Sequence, residues 1–168
     1  MQKKIVAYKV GSSTNCFLNL KVFIFGVFLL VLFLLSTSHA EIYKVKRAID
    51  GDTLLLTNGE RVRLIGVDTP ETKHPQKPVQ YFGKEASLFT GHMIGGKEAR
   101  FEFEKHKRDR YGRLLAYVYL LDGTFLNAEI IKQGYGFAYT RYPFKYMQEF
   151  RRYEKEAREN RRELWNIK

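Results

Sequence analysis

From position 41 the chain runs first in short stretches with apolar residues at every second place, and later in stretches with apolar residues at every third or fourth. Residues 42–49 are rich in β-forming side chains, residues 53–57 read TLLLT, and residues 61–67 read RVRLIGV, which begins with the polar–apolar alternation of a half-buried strand. Asn58-Gly59 lies between the last two and predicts a hairpin, and the period of two puts Arg61 and Arg63 on one face. Two further strands are predicted over 99–105 and 114–121, joined by a charged loop. Phe82, Ala86, Phe89 and Met93 recur at helical spacing and predict a helix over 81–94, stopped by Gly95-Gly96. A short helix is predicted over 125–133, closed by Gly134. A last one begins at Pro143, with Phe144, Met147, Phe150, Tyr153 and Ala157 on its buried side. Five short strands with a helix after the third, then more helices, predict an α+β fold: a small closed or half-closed barrel under helical cover.

Residues 1–40 change the count. Lys3, Lys4, Lys9 and Lys21 without any acid precede the uncharged run at 22–35, and STSHA follows. This is the layout of a signal peptide cleaved after Ala40; the alternative is an uncleaved membrane anchor, since residues 22–40 carry no charge and approach the ~20 residues of a bilayer span. The working domain is expected to be residues 41–168, secreted or periplasmic, or exported and membrane-anchored. Cys16, the only cysteine, precedes the cleavage point, so the remaining domain has no disulfide option. Its length suffices for one core, and a monomer without a protein partner is expected.

Charge adds a partner class without choosing it. The whole chain carries +11, and removal of the four N-terminal lysines leaves +7. Such a surface attracts nucleic acid, anionic lipid or acidic polymers, or simply keeps the protein soluble.

Three polar clusters fall at predicted strand ends: Asp50-Gly51-Asp52, the stretch VDTPE with Arg63 just upstream, and RDRYGR. Singly, they read as a turn, a strand exit and a loop. Together they hold the parts for phosphodiester hydrolysis. Asp52 and Asp68 are hard oxygen donors, and the Thr69 carbonyl adds a third, leaving places for water and a phosphate oxygen on one Ca²⁺-like ion. Glu71, beyond the stiffening Pro70, is placed to take a proton from water, and Arg63 and Arg113 offer bidentate forks for phosphate. There is no G-x-x-x-x-G-K-[ST] and no H-E-x-x-H, and His74, His92 and His106 have no pairing spacing, which disfavours a histidine-based mechanism.

IDGDT, RLIGVDTPETKHP and DRYGRLLAYVY, with Gln133-Gly134, closely resemble the thermonuclease (staphylococcal nuclease) family over nearly all of residues 41–168. The resemblance implies a five-stranded OB-fold β-barrel with three helices and a Ca²⁺-dependent nuclease that cuts DNA and RNA, leaving 3′-phosphate ends. It implies Asp52, Asp68 and the Thr69 carbonyl at the metal, Glu71 as general base, and Arg63 and Arg113 on the phosphate. Tyr111 and Tyr139 match family tyrosines near the bound nucleotide, or are half-buried packing residues. After Ala138 the pattern departs, and Tyr142 has no assigned counterpart. The main rival is a non-catalytic OB-fold nucleic-acid-binding module, which would have no use for the retained acids.

Overall fold

Val45, Leu54, Val62, Phe101 and Val118 lie fully buried around one axis, each on a different strand of a closed five-stranded barrel. The structure is a computed structural model that describes residues 41–72 and 80–166. The expected signal or anchor segment and His74 lie outside the described residues. The barrel strands are β1 (Glu41–Asp50), β2 (Thr53–Leu56), β3 (Arg61–Leu64), β5 (Glu98–Arg108) and β6 (Leu114–Leu120), and a separate two-stranded sheet pairs β4 (Val67–Asp68) with β7 (Phe137–Ala138). Every barrel pairing is antiparallel except β3 with β6, which is parallel and closes the ring. Register shifts between Val45 and Arg47 and between Ala48 and Asp50 bend β1 so that one strand serves both β2 and β5.

The hairpin predicted at Asn58-Gly59 joins β2 to β3. Gly59 takes φ 87°, its N–H bonding to Leu56 O while Leu56 N–H bonds to Glu60 O. The strand expected over 61–67 is broken. Gly66 turns at φ 74°, so β3 ends at Leu64 and Val67–Asp68 leaves the barrel to pair with β7. A Cβ on Gly66 would come within 2.5 Å of the Phe144 ring, which is why the corner needs glycine.

Three helices cover the barrel: α1 (Gly83–Ile94), α2 (Leu126–Lys132) and α3 (Met147–Glu159). Gly95-Gly96 ends α1 as predicted, with Gly96 at φ 75° bonding to Val45 O, and Gly134 ends α2 at φ 83°. The last helix starts one turn later than Pro143. The Lys145 N–H is taken by Glu104 Oε1 and the Tyr117 hydroxyl, both at 3.1 Å, so the chain there is tied to the barrel wall. Asn127, fully buried on α2, fastens helix to barrel: its Oδ1 accepts from Val118 N–H at 2.9 Å, and its Nδ2 donates to Ile65 O and Ala116 O. Among the described residues no helix is long and apolar enough to cross a membrane.

Candidate active site

The site begins at the β1–β2 turn. Gly51 sits there without a positive φ. The reason for glycine is proximity, since a Cβ would meet Thr69 Oγ1 at 2.7 Å. The neighbouring Asp52 is only 3% exposed, and it accepts from Thr53 Oγ1 at 2.9 Å and from the Thr69 backbone N–H at 3.1 Å. Its carboxylate is also paired with the Arg63 guanidinium, whose Nη2 donates to Asp68 Oδ1 at 2.8 Å. One arginine on the outer face of β3 therefore touches both acids. Burial pushes the Arg63 guanidinium below its usual range. Asp68 and Glu71 pull it up, while Arg113 pushes it further down.

Asp50, beside Gly51, anchors the far side of the loop. It accepts from Thr72 Oγ1 at 3.1 Å, and Glu71 N–H bonds to Gln80 Oε1 at 2.9 Å. Partial burial, the hydrogen bond and charge of Asp50, and the charge of Asp68 raise the Glu71 carboxyl above the ordinary carboxylate range, with Arg63 acting against them.

Arg113 comes from the turn that carries β5 into β6. Its Nε donates to Asp109 Oδ2 at 2.7 Å, and its guanidinium lies 5.4 Å from the centre of the Tyr111 ring. Across the gap Tyr139, whose N–H bonds to Gly66 O at 2.9 Å, stands 6.3 Å from the Tyr142 ring. Between these walls is a cleft of about 580 Å³ lined by Arg63, Asp68, Tyr111, Arg113, Tyr139 and Tyr142, among others. Five of the eight residues singled out in the sequence line it. Asp52 and Thr69 are buried behind Arg63, and Glu71 acts electrostatically on that same group. The tyrosines are surface residues, Tyr111 being 67% exposed and Tyr139 36%, so the packing alternative does not describe Tyr111.

The donors suit a hard cation. Asp52 and Asp68 converge on one guanidinium, and the Thr69 hydroxyl beside them is buried with no hydrogen-bond partner. All the available atoms are oxygens. Among the described residues no group of three or more His, Cys, Asp or Glu forms a closed cage, so water or substrate would complete the coordination.

Sequence reasoning passed over several residues that shape the site. Asp109 holds Arg113, and its signal was an acid four places before an arginine across a glycine turn. Arg108 grips Glu60 with two hydrogen bonds and also donates to Gly112 O at 2.7 Å, a link between distant segments with no local pattern. Arg141 and His106 line the cleft edge, whereas His92 lies exposed on α1.

The chain is similar in sequence to known proteins. Residues 61–167 match the family model described as staphylococcal nuclease homologue. The chain is 40% identical over 136 residues to a thermonuclease of Staphylococcus hyicus, covering 79% of this chain and 80% of that protein. It is 44% identical over 131 residues to a thermonuclease of Staphylococcus intermedius, covering 76% and 77%. It is 42% identical over 126 residues to endonuclease YncB of Bacillus subtilis, covering 71% of this chain and 59% of that protein.

Proposed function

The chain belongs to the staphylococcal nuclease homologue family, a phosphodiester hydrolase by its relatives, and on that premise we propose that it is a Ca²⁺-dependent nuclease cleaving DNA and RNA to 3′-phosphate ends. The observation that carries this reading is the single Arg63 guanidinium touching Asp52 and Asp68 at the edge of a cleft that also holds Arg113. A passive binding surface has no reason to bury one acid and pair two of them beside phosphate-binding arginines.

In this reading Asp52, Asp68 and the Thr69 carbonyl would hold the cation, which when bound neutralises phosphate charge and makes a nearby water easier to deprotonate. Glu71 takes the proton from that water, a role for which its raised carboxyl pKa is suited. The water oxygen forms a bond to phosphorus while the bond to the 5′ oxygen breaks, and that oxygen takes a proton from solvent, leaving a 3′-phosphate and a 5′-hydroxyl. Arg63 and Arg113 place their forks on the non-bridging oxygens, where charge builds up in the transition state. Tyr111 and Tyr139 offer faces to bases with little sequence preference, which fits action on both DNA and RNA. The N-terminal segment supports export of the domain, with the segment either removed or kept as an anchor.

Purified residues 41–168 are expected to digest plasmid DNA and RNA with Ca²⁺ and to stop when EGTA is added. Digestion that continues unchanged in chelator would remove the metal assignment.

A further inference from the structure

A second hollow, of about 470 Å³, opens where the β2–β3 hairpin meets the turn carrying Arg113. Asn58, Gly59, Glu60, Arg61 and Gly112 line it. Tyr111 and Arg113 line both this hollow and the larger cleft, so they form the ridge between them.

The hollow has one uncommitted charge. The Glu60 carboxylate is held by both Arg108 Nη atoms, at 2.9 and 3.0 Å, and Arg113 is held by Asp109. The Arg61 side chain is exposed and makes no ion pair or hydrogen bond among the described residues. Its floor is open backbone: Gly59 and Gly112 both have positive φ, and a Cβ on either would meet nothing within 4 Å.

Strand geometry relates the hollow to the cleft. Arg61 and Arg63 are two residues apart on the outward face of β3, hence about 6.7 Å apart. The parallel register Val62↔Leu114, continued back one residue, sets Arg113 beside Arg61. Three guanidinium-bearing positions thus meet where cleft, ridge and hollow join, Arg63 and Arg61 along β3 and Arg113 across from Arg61 on the neighbouring strand. Tyr111 on the ridge is exposed, with the guanidinium groups of Arg110 and Arg113 lying 4.7 and 5.4 Å from its ring centre.

We propose that this hollow is a second nucleotide subsite, taking the neighbouring nucleotides of the same single strand whose scissile phosphate lies in the cleft, with Arg61 on a phosphate. The proposal rests on the nuclease reading for the orientation of the strand, and its test separates the two.

Fluorescence anisotropy of labelled oligothymidylates, from a dinucleotide upward and in EGTA, reads binding without cleavage; the same series with Ca²⁺ reads KM and kcat. For the wild type, affinity is expected to keep rising beyond the length that fills the cleft. Arg61→Gln is expected to weaken longer strands roughly tenfold, the scale of one charge-assisted contact, with a smaller effect on the dinucleotide. It should also reduce the salt slope by about 0.7, and Arg61→Lys should keep most of the affinity. Wild type and Arg61→Gln binding alike at every length overturns the subsite, as does wild-type affinity that stops rising once the cleft is filled. Length-dependent, Arg61-dependent binding without cleavage keeps the subsite and removes the nuclease reading, whereas normal cleavage indifferent to Arg61 does the reverse.

Discussion

Asp109 holds Arg113 at two points: its Oδ1 accepts the arginine's backbone N–H at 3.0 Å and its Oδ2 accepts Nε at 2.7 Å. Oδ1 also takes the Tyr111 N–H at 2.9 Å, so one carboxylate fixes both residues of the ridge. Burial works against the Asp109 charge, but the hydrogen bonds from Arg113 and Tyr111 outweigh it and hold the carboxyl below its usual range. A depressed carboxyl contributes stability above its unfolded pKa of about 3.9 and loses it as pH falls through the folded value. Asp109→Ala is therefore expected to lower kcat by about tenfold to a hundredfold through misaimed Arg113, to shift KM less, and to shrink the stability lost on acidification below that pH. Steady-state kinetics with Asp109→Asn as the partial rescue checks this; an unchanged kcat would show that Arg113 is aimed without its partner.

Arg113→Ala and Glu71→Gln are each expected to lower kcat by about 10²–10³-fold while the melting temperature stays near that of the wild type. Both side chains lie at the surface of the site and support little of the core. Arg113→Lys should recover little, since an ammonium does not reproduce a planar fork. Normal cutting by Glu71→Gln would assign the proton to another acceptor.

Gly51 and Thr69 make a third test. An added Cβ would displace the Thr69 side chain, and with it the backbone N–H that Asp52 accepts. In wild type Ca²⁺ is expected to raise the melting temperature by mass action. Gly51→Ala should reduce that rise and Asp52→Ala should abolish it, readable by scanning calorimetry with and without the ion.

Asn127→Ala strands the Val118 N–H in the interior and removes the side-chain donor from Ile65 O, while Ala116 O keeps its bond from the Ile65 N–H at 3.0 Å. A loss of roughly 2–4 kcal/mol in urea unfolding is expected, with kcat near normal where the variant remains folded.

What the sequence revealed follows the range of the forces involved. The hairpin at Asn58-Gly59 and the glycine stops of α1 and α2 depend on local backbone preference, and all appear where the pattern placed them. The broken strand at Gly66 depends on Phe144, far along the chain, and the late start of α3 depends on Glu104 and Tyr117 claiming the Lys145 N–H. Neither partner is visible from its own neighbourhood. Likewise the acids and arginines of the site were legible because each sits in a contiguous motif. The Glu60–Arg108 grip and the hollow behind it were not, because they arise only when the hairpin and the β5–β6 turn meet in space.

The small β4–β7 sheet pairs Asp68 with Phe137 and Val67 with Ala138, and the Tyr139 N–H bonds back to Gly66. Those few rungs clamp the acid corner before the chain goes on to Arg141 and Tyr142. Residues 140–143 thus leave from a fixed base, and lengthening or recomposing them can retune what the molecule grips while leaving untouched the apparatus that cuts.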